Sequence, residues 1–155
     1  CALVTGVQTC ALPICRIDHA NIYLLIAGTY TPLALALMTP DHQRLVLGII
    51  WTGAVIGMVA NVCWITAPRW LFTILYVVLG WVAVWFIPEL YRAGGAAIVV
   101  LIAAGGVIYT LGAVVYALKK PDPLPRWFGF HEIFHACTVA AWVCQCIACY
   151  MAVLG

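Results

Sequence analysis

Five long apolar stretches parted by short polar breaks leave this chain one setting in which to fold. The first covers about Asp18–Met38 and ends at Thr39-Pro40-Asp41-His42-Gln43-Arg44. The second covers about Leu45–Thr66 and ends at Ala67-Pro68-Arg69. The third covers about Trp70–Ile87 and ends at Pro88-Glu89-Leu90-Tyr91-Arg92. The fourth covers about Gly95–Leu118, and the connector from Lys119 to Arg126 follows it. The fifth covers about His131–Leu154. Each is long enough to cross a bilayer as a helix, which takes about 20 residues. Only helices and closed barrels satisfy their backbone in lipid. Barrel strands alternate apolar and polar residues, and these runs do not. Hydrophobic residues make up 66% of the chain and charged residues 8%, against about 45–50% and 25% in soluble domains. So few charges cannot cover a surface in water, which excludes a soluble enzyme, a disordered region and a nucleic-acid binder. The sequence therefore predicts an all-α, polytopic transmembrane helix bundle.

Residues 1–15 do not fit this pattern. They carry no charge and no helical period. Val4 to Ile14 reads VTGVQTCALPI, the in-frame translation of a common sequencing-library adapter. A signal peptide would have a charged start and a longer apolar run. We therefore set 1–15 apart as a non-native segment and take 16–155 as the transmembrane domain. Cys1, Cys10 and Cys15 leave with it, and the native gene is expected to extend upstream of Arg16. Genomic DNA is expected not to encode the segment, which sequencing an unamplified template checks.

Charge gives the orientation. Alternate connectors share one side of the membrane. Arg16, Arg69, Lys119, Lys120 and Arg126 fall on one side, Arg44 and Arg92 on the other. The richer side is expected in the cytoplasm, with the C-terminus outside. Trp70, Tyr91 and Trp127 lie near the expected interfaces, as belt aromatics do. Gly28, Gly53, Gly57, Gly80, Gly105, Gly106 and Gly112 are expected to let helices pack closely.

Ionisable groups inside a span are costly and tend to be functional. Here they are Asp18, His19, His131, Glu132 and His135. All lie at the start of the first or the fifth run, and both starts fall on the same side. His131 and His135 are four residues apart, which puts both imidazoles on one helix face. Two such nitrogens can bind one zinc. A bland alternative is a pair of interface histidines bonded to neighbouring helices. A catalytic zinc usually has three protein ligands and a water. Asp18 could hold that water or ligate directly, or it could simply pair with Arg16 or face the helix dipole. His19 is turned about 100° from Asp18 and reads as a packing residue. The string His131-Glu132-Ile133-Phe134-His135 also matches the zincin pattern, in which the Glu is the general base. No second motif supports that protease reading. Cys146 and Cys149 form Cys-x-x-Cys, but Cys149 lies about 21 Å along the helix from His135. Without a second pair they read as packing residues, like Cys63, Cys137 and Cys144.

Three stretches give the chain a family resemblance. Arg16-Ile17-Asp18-His19-Ala20-Asn21-Ile22-Tyr23, continuing to Pro32, resembles the third-helix signature of the hemolysin III family. That family is the bacterial branch of the progestin and adiponectin receptor superfamily. Gly105-Gly106-Val107-Ile108-Tyr109-Thr110-Leu111-Gly112-Ala113 is similar to its sixth helix. Phe130-His131-Glu132-Ile133-Phe134-His135 resembles the start of its seventh. The resemblance implies a seven-helix bundle with a cytoplasmic N-terminus, of which this chain holds helices three to seven. It implies a zinc near the cytoplasmic face, held by one His on the second helix and two on the seventh. The seventh-helix pair maps to His131 and His135. An Asp that holds the water at the zinc maps to Asp18. The second helix, with the third ligand, is absent, so the chain reads as a truncated frame. Gln145 stands where bacterial members often have His.

The leading expectation is a zinc-dependent membrane hydrolase or lipid sensor in membrane-lipid homeostasis, with membrane lipids as partners. A lytic, pore-forming hemolysin is the second expectation. It is the weaker, because no span carries a polar stripe along its length. A metal-stabilised receptor without turnover is the third.

Overall fold

The computed structural model describes residues 13–64, 69–118, 120 and 129–155. Most of the segment read as foreign lies outside these residues, as do Lys119, Arg126 and Trp127. The side chains of Arg16, His19 and Arg69 also lie outside the description. The described chain is all α-helical. The elements are α1 (Pro13–Leu37), α2 (Pro40–Cys63), α3 (Arg69–Gly80), a 3₁₀ segment (Trp81–Phe86), α4 (Ile87–Leu118) and α5 (Phe130–Leu154).

Four helical segments are long and apolar enough to cross a membrane: Ala20–Leu37, Pro40–Cys63, Trp70–Leu118 and Phe130–Leu154. The third has 49 residues. As one straight helix it would run for about 74 Å, more than twice the hydrocarbon core. It does not run straight. Trp81 Nε1 donates to Thr110 Oγ1 at 2.9 Å across 29 residues, positions that a straight helix would hold about 44 Å apart. The chain folds back about Gly95, whose φ of 75° and ψ of 179° break α4. That left-handed φ is open to glycine and costly for most other residues. The long segment is thus two antiparallel passes, and the described residues make five.

Two boundaries differ from the sequence reading. The break expected at Pro88–Arg92 is helical, and the turn comes at Gly95. Pro88 is the second residue of α4, where a missing N–H loses no helical bond. The break expected at Thr39–Arg44 is largely the first turns of α2: Thr39 is the N-cap, Pro40 opens the helix and Asp41 lies in its first turn. Thr39 does not cap with its own side chain. Its backbone N–H donates to Glu89 Oε1 at 2.7 Å, and Glu89 Oε2 meets His42 Nδ1 at 2.6 Å. The turn after α1 is thereby tied to the start of α4.

Tyr30 accounts for the 3₁₀ segment. Its hydroxyl donates to Gly80 O at 2.7 Å and accepts from Ala83 N–H at 2.8 Å. A side chain inserted into the i→i−4 ladder satisfies groups that the helix itself then leaves free. The glycines divide. A Cβ at Gly53, Gly57, Gly105 or Gly112 would meet a neighbouring helix within 3.2 Å, as the packing expectation requires. Gly28, Gly80 and Gly106 have no such close neighbour.

Candidate metal centre

Helices α1 and α5 run parallel and begin at the same end of the bundle. Asp18 meets His135 near their starts, and Thr29 meets Cys149 further along both. The fold therefore brings together the residues that the span arithmetic placed on one side. Asp18 Oδ2 lies 3.2 Å from His135 Nε2. His135 Nε2 lies 3.0 Å from His131 Nε2. The two imidazoles stand edge to face, with centroids 4.6 Å apart. One ligand atom from each residue lies within 4.8 Å of the other two, and among the described residues this is the one such group of three or more.

A neutral imidazole nitrogen carries either one proton or one lone pair. At His135 Nε2, a carboxylate oxygen and a second ring nitrogen converge on that single position. The three potential ligand atoms lie close enough together to share one cation. The triad can therefore hold a metal ion.

Behind the imidazoles stands an aromatic wall. Phe134 is fully buried, with its ring 5.3 Å from His135. Tyr116 is 5% exposed and lies 5.0 Å from Phe134 and 6.1 Å from His131. Tyr76 and Tyr109 continue the stack towards the bundle centre. Sequence reasoning missed this wall, because its members look like any apolar residues of a span. The one available signal was spacing: Gly105, Gly112 and Tyr116 share a face of α4 at intervals of seven and four.

Glu132 does not join the triad. Its Oε2 accepts the Gly129 backbone N–H at 2.9 Å, the reach-back of an N3 glutamate to its N-cap. The zincin-like string is thus two ligand candidates enclosing a helix cap. Glu132→Gln keeps an acceptor for that N–H. It is expected to leave metal affinity within about threefold and to cost about 0.5–1 kcal/mol of stability, in the range of weakened caps. Metal titration and unfolding of the variant check this. A loss as large as that of a histidine ligand would restore Glu132 to the site.

A cavity of about 70 Å³ lies near the middle of the bundle. Tyr30, Trp81, Tyr109, Thr138 and Gln145 are among its lining residues. Thr138 is one helical turn past His135, so the cavity approaches the triad. Gln145 Nε2 donates to Ile102 O at 3.3 Å. The buried Tyr109 hydroxyl has no hydrogen-bond partner among the described residues. Cys63, Cys137, Cys144, Cys146 and Cys149 are free thiols, and Cys149 donates to Thr29 O. None of them enters the triad.

A membrane helix bundle with a carboxylate–histidine–histidine triad at one end defines the class of protein. The haemolysin-III related family model matches residues 8–146, and the chain belongs to that family. It is 36% identical over 115 residues to the hemolysin-3 homolog of Bacillus subtilis (strain 168), covering 74% of this chain and 54% of that protein. It is 35% identical over 104 residues to hemolysin-3 of Bacillus cereus, covering 67% of this chain and 48% of that protein. The chain thus spans about half the length of these curated relatives. No solved structure matches it.

Proposed function

We propose that this chain carries the metal-binding half of a zinc-dependent membrane hydrolase acting on lipid amides or esters. The observation that carries the reading is the convergence of Asp18, His131 and His135 beside an apolar interior. Donors about 2.0–2.1 Å from a tetrahedral zinc sit about 3.3–3.4 Å apart. The observed separations of 3.0 and 3.2 Å are close to that edge length. His131 and His135 would hold the ion. When bound, zinc supplies Lewis acidity, which can lower the pKa of a coordinated water to about 7. Asp18, the carboxylate of the group, would orient the attacking water and accept its proton. The family pattern places a third histidine on the second helix, which precedes this chain's first span. The Tyr109 hydroxyl offers a donor to a substrate oxygen in the cavity.

The test uses the full-length protein in detergent with a labelled lipid amide. Asp18→Asn is expected to lower turnover by at least about a hundredfold, the lower range for a positioned acid–base group, while the protein still takes up zinc. Hydrolysis that survives His131→Ala with His135→Ala removes the mechanism. Zinc uptake without turnover of any lipid leaves the sensor or the metal-stabilised receptor. Red-cell lysis that is unaffected by chelator would favour the lytic reading carried by the relatives' names. The charge asymmetry supports a triad at the cytoplasmic face and a C-terminus outside. Reporters fused to the C-terminus check that placement.

A further inference from the structure

We propose that Tyr116 is a positioning residue that holds the His131 imidazole in line for metal binding. It rests on the metal-centre reading above, and it starts from how α4 and α5 meet. The two helices run antiparallel and touch along a seam of small residues. A Cβ added at Gly112 would stand 2.6 Å from Cys137 Cβ and 3.5 Å from Phe134 O. One added at Gly105 would stand 3.2 Å from Ala141 O. Backbones this close cannot admit a side chain between them. One turn past Gly112, towards the triad, the seam meets a tyrosine.

The Tyr116 ring fills the space where the seam ends. Its centroid lies 6.4 Å from Phe130, 6.1 Å from His131 and 5.0 Å from Phe134. It therefore spans the first two turns of α5, the stretch that carries the ligand pair. Phe134 in turn backs His135. His131 and His135 are themselves only partly buried, so their rotamers are not fixed by burial alone. A histidine free to leave its rotamer must lose that freedom when metal binds, and the affinity falls accordingly. Tyr116 removes that freedom beforehand, in the way that outer partners orient metal ligands. Gly112 sets how far the ring reaches, and the ring sets the imidazole.

The chain has four histidines, few enough for ring-labelled histidine NMR to resolve in a detergent micelle. The metal-free wild type is compared with Tyr116→Phe, Tyr116→Leu and Ile98→Ala. Ile98 is 3% exposed near the opposite end of the same helix. Zinc affinity is read by competition with a chromophoric chelator. Tyr116→Phe keeps the ring and is expected to hold affinity within about twofold. Tyr116→Leu is expected to weaken zinc binding at least about tenfold, as loss of an outer partner does. It should also shift and broaden the His131 ring signals while leaving His42 unmoved. Ile98→Ala is expected to change neither readout, although it destabilises the fold. Equal losses in Tyr116→Leu and Ile98→Ala would reduce Tyr116 to a packing residue and overturn the proposal. So would unchanged His131 signals in Tyr116→Leu. If Tyr116→Leu does not fold, Tyr116→Met carries the same expectation. If the wild type takes up no zinc, the metal reading fails, and the metal-free His131 signals still decide whether Tyr116 positions the ring.

Discussion

Replacing His131 and His135 together with alanine is expected to abolish metal uptake by the purified protein. Each single replacement should weaken zinc binding by more than about a hundredfold, beyond the 10–100-fold range seen when only an outer partner is lost. The physical basis is the three-atom convergence. With His135 gone, the donor that lies 3.0 Å from His131 and 3.2 Å from Asp18 is missing, and the remaining two no longer share a centre. Asp18→Asn preserves shape and one acceptor oxygen, so it should fall well short of the histidine losses. His42→Ala is the control, because His42 bonds Glu89 at the opposite end of the bundle. Titration of zinc into detergent-solubilised protein reads all five variants. A second consequence is thermodynamic. Metal that binds only the folded state stabilises it by about 2.7 kcal/mol at a hundredfold excess over Kd. Chelator should therefore lower the melting temperature of the wild type and leave the double variant unmoved. Melting curves that respond equally in both would place the metal elsewhere.

The part of this site that was legible in the sequence came from the ends of the spans. Asp18 and the histidine pair are polar groups at the starts of apolar runs, and the parity of the runs put them on one side. No contact needed to be known. The five passes were legible for the same reason, since apolar length reports crossing whatever the packing. The exact turns were not. Pro88 and Glu89 look like a break, yet Pro88 is tolerated in a first helical turn, and the reversal waits for the positive φ of Gly95. Thr39-Pro40-Asp41 also looks like a break, yet it is a helix start whose N–H is satisfied by a glutamate 50 residues away. Glu132 could be assigned only once its oxygen was seen on Gly129. The Tyr30 insertion and the Tyr116–Phe134 wall depend on which helices face each other. Apolar periodicity is nearly silent on that point in a membrane, where lipid-facing and core-facing residues are alike.

The largest stability effect is expected at Gly57. Tyr23 is 1% exposed on α1, and its ring lies over this glycine of α2. A Cβ at Gly57 would overlap Cε1 of that ring and stand 2.7 Å from its Cδ1 and Cζ. The ring has little room to yield. Its hydroxyl donates to Phe72 O at 3.2 Å, and its edge meets Tyr76 with centroids 6.1 Å apart. Gly57→Ala must therefore move α1 from α2 or turn the ring and lose the buried hydrogen bond. Overpacking costs about 1–3 kcal/mol, and a lost hydrogen bond adds about 1, so the expected loss is about 3 kcal/mol. Gly28→Ala is the counterpart. It has nothing within 4 Å, and removing a mid-helix glycine should be neutral or stabilise by up to about 1 kcal/mol. Unfolding in mixed micelles by increasing SDS measures both. The sign of the pair separates packing from helix propensity, because propensity alone would make both substitutions favourable. Tyr23→Leu opens the space that Gly57→Ala fills, so the double variant should recover part of the loss, a coupling expected only between residues in contact. Tyr23 lies five residues past Asp18 on α1. Displacing that helix at Gly57 should therefore weaken metal binding as well, and the double variant should restore it. Additive losses in the double variant would mean that α1 and α2 do not meet at this glycine.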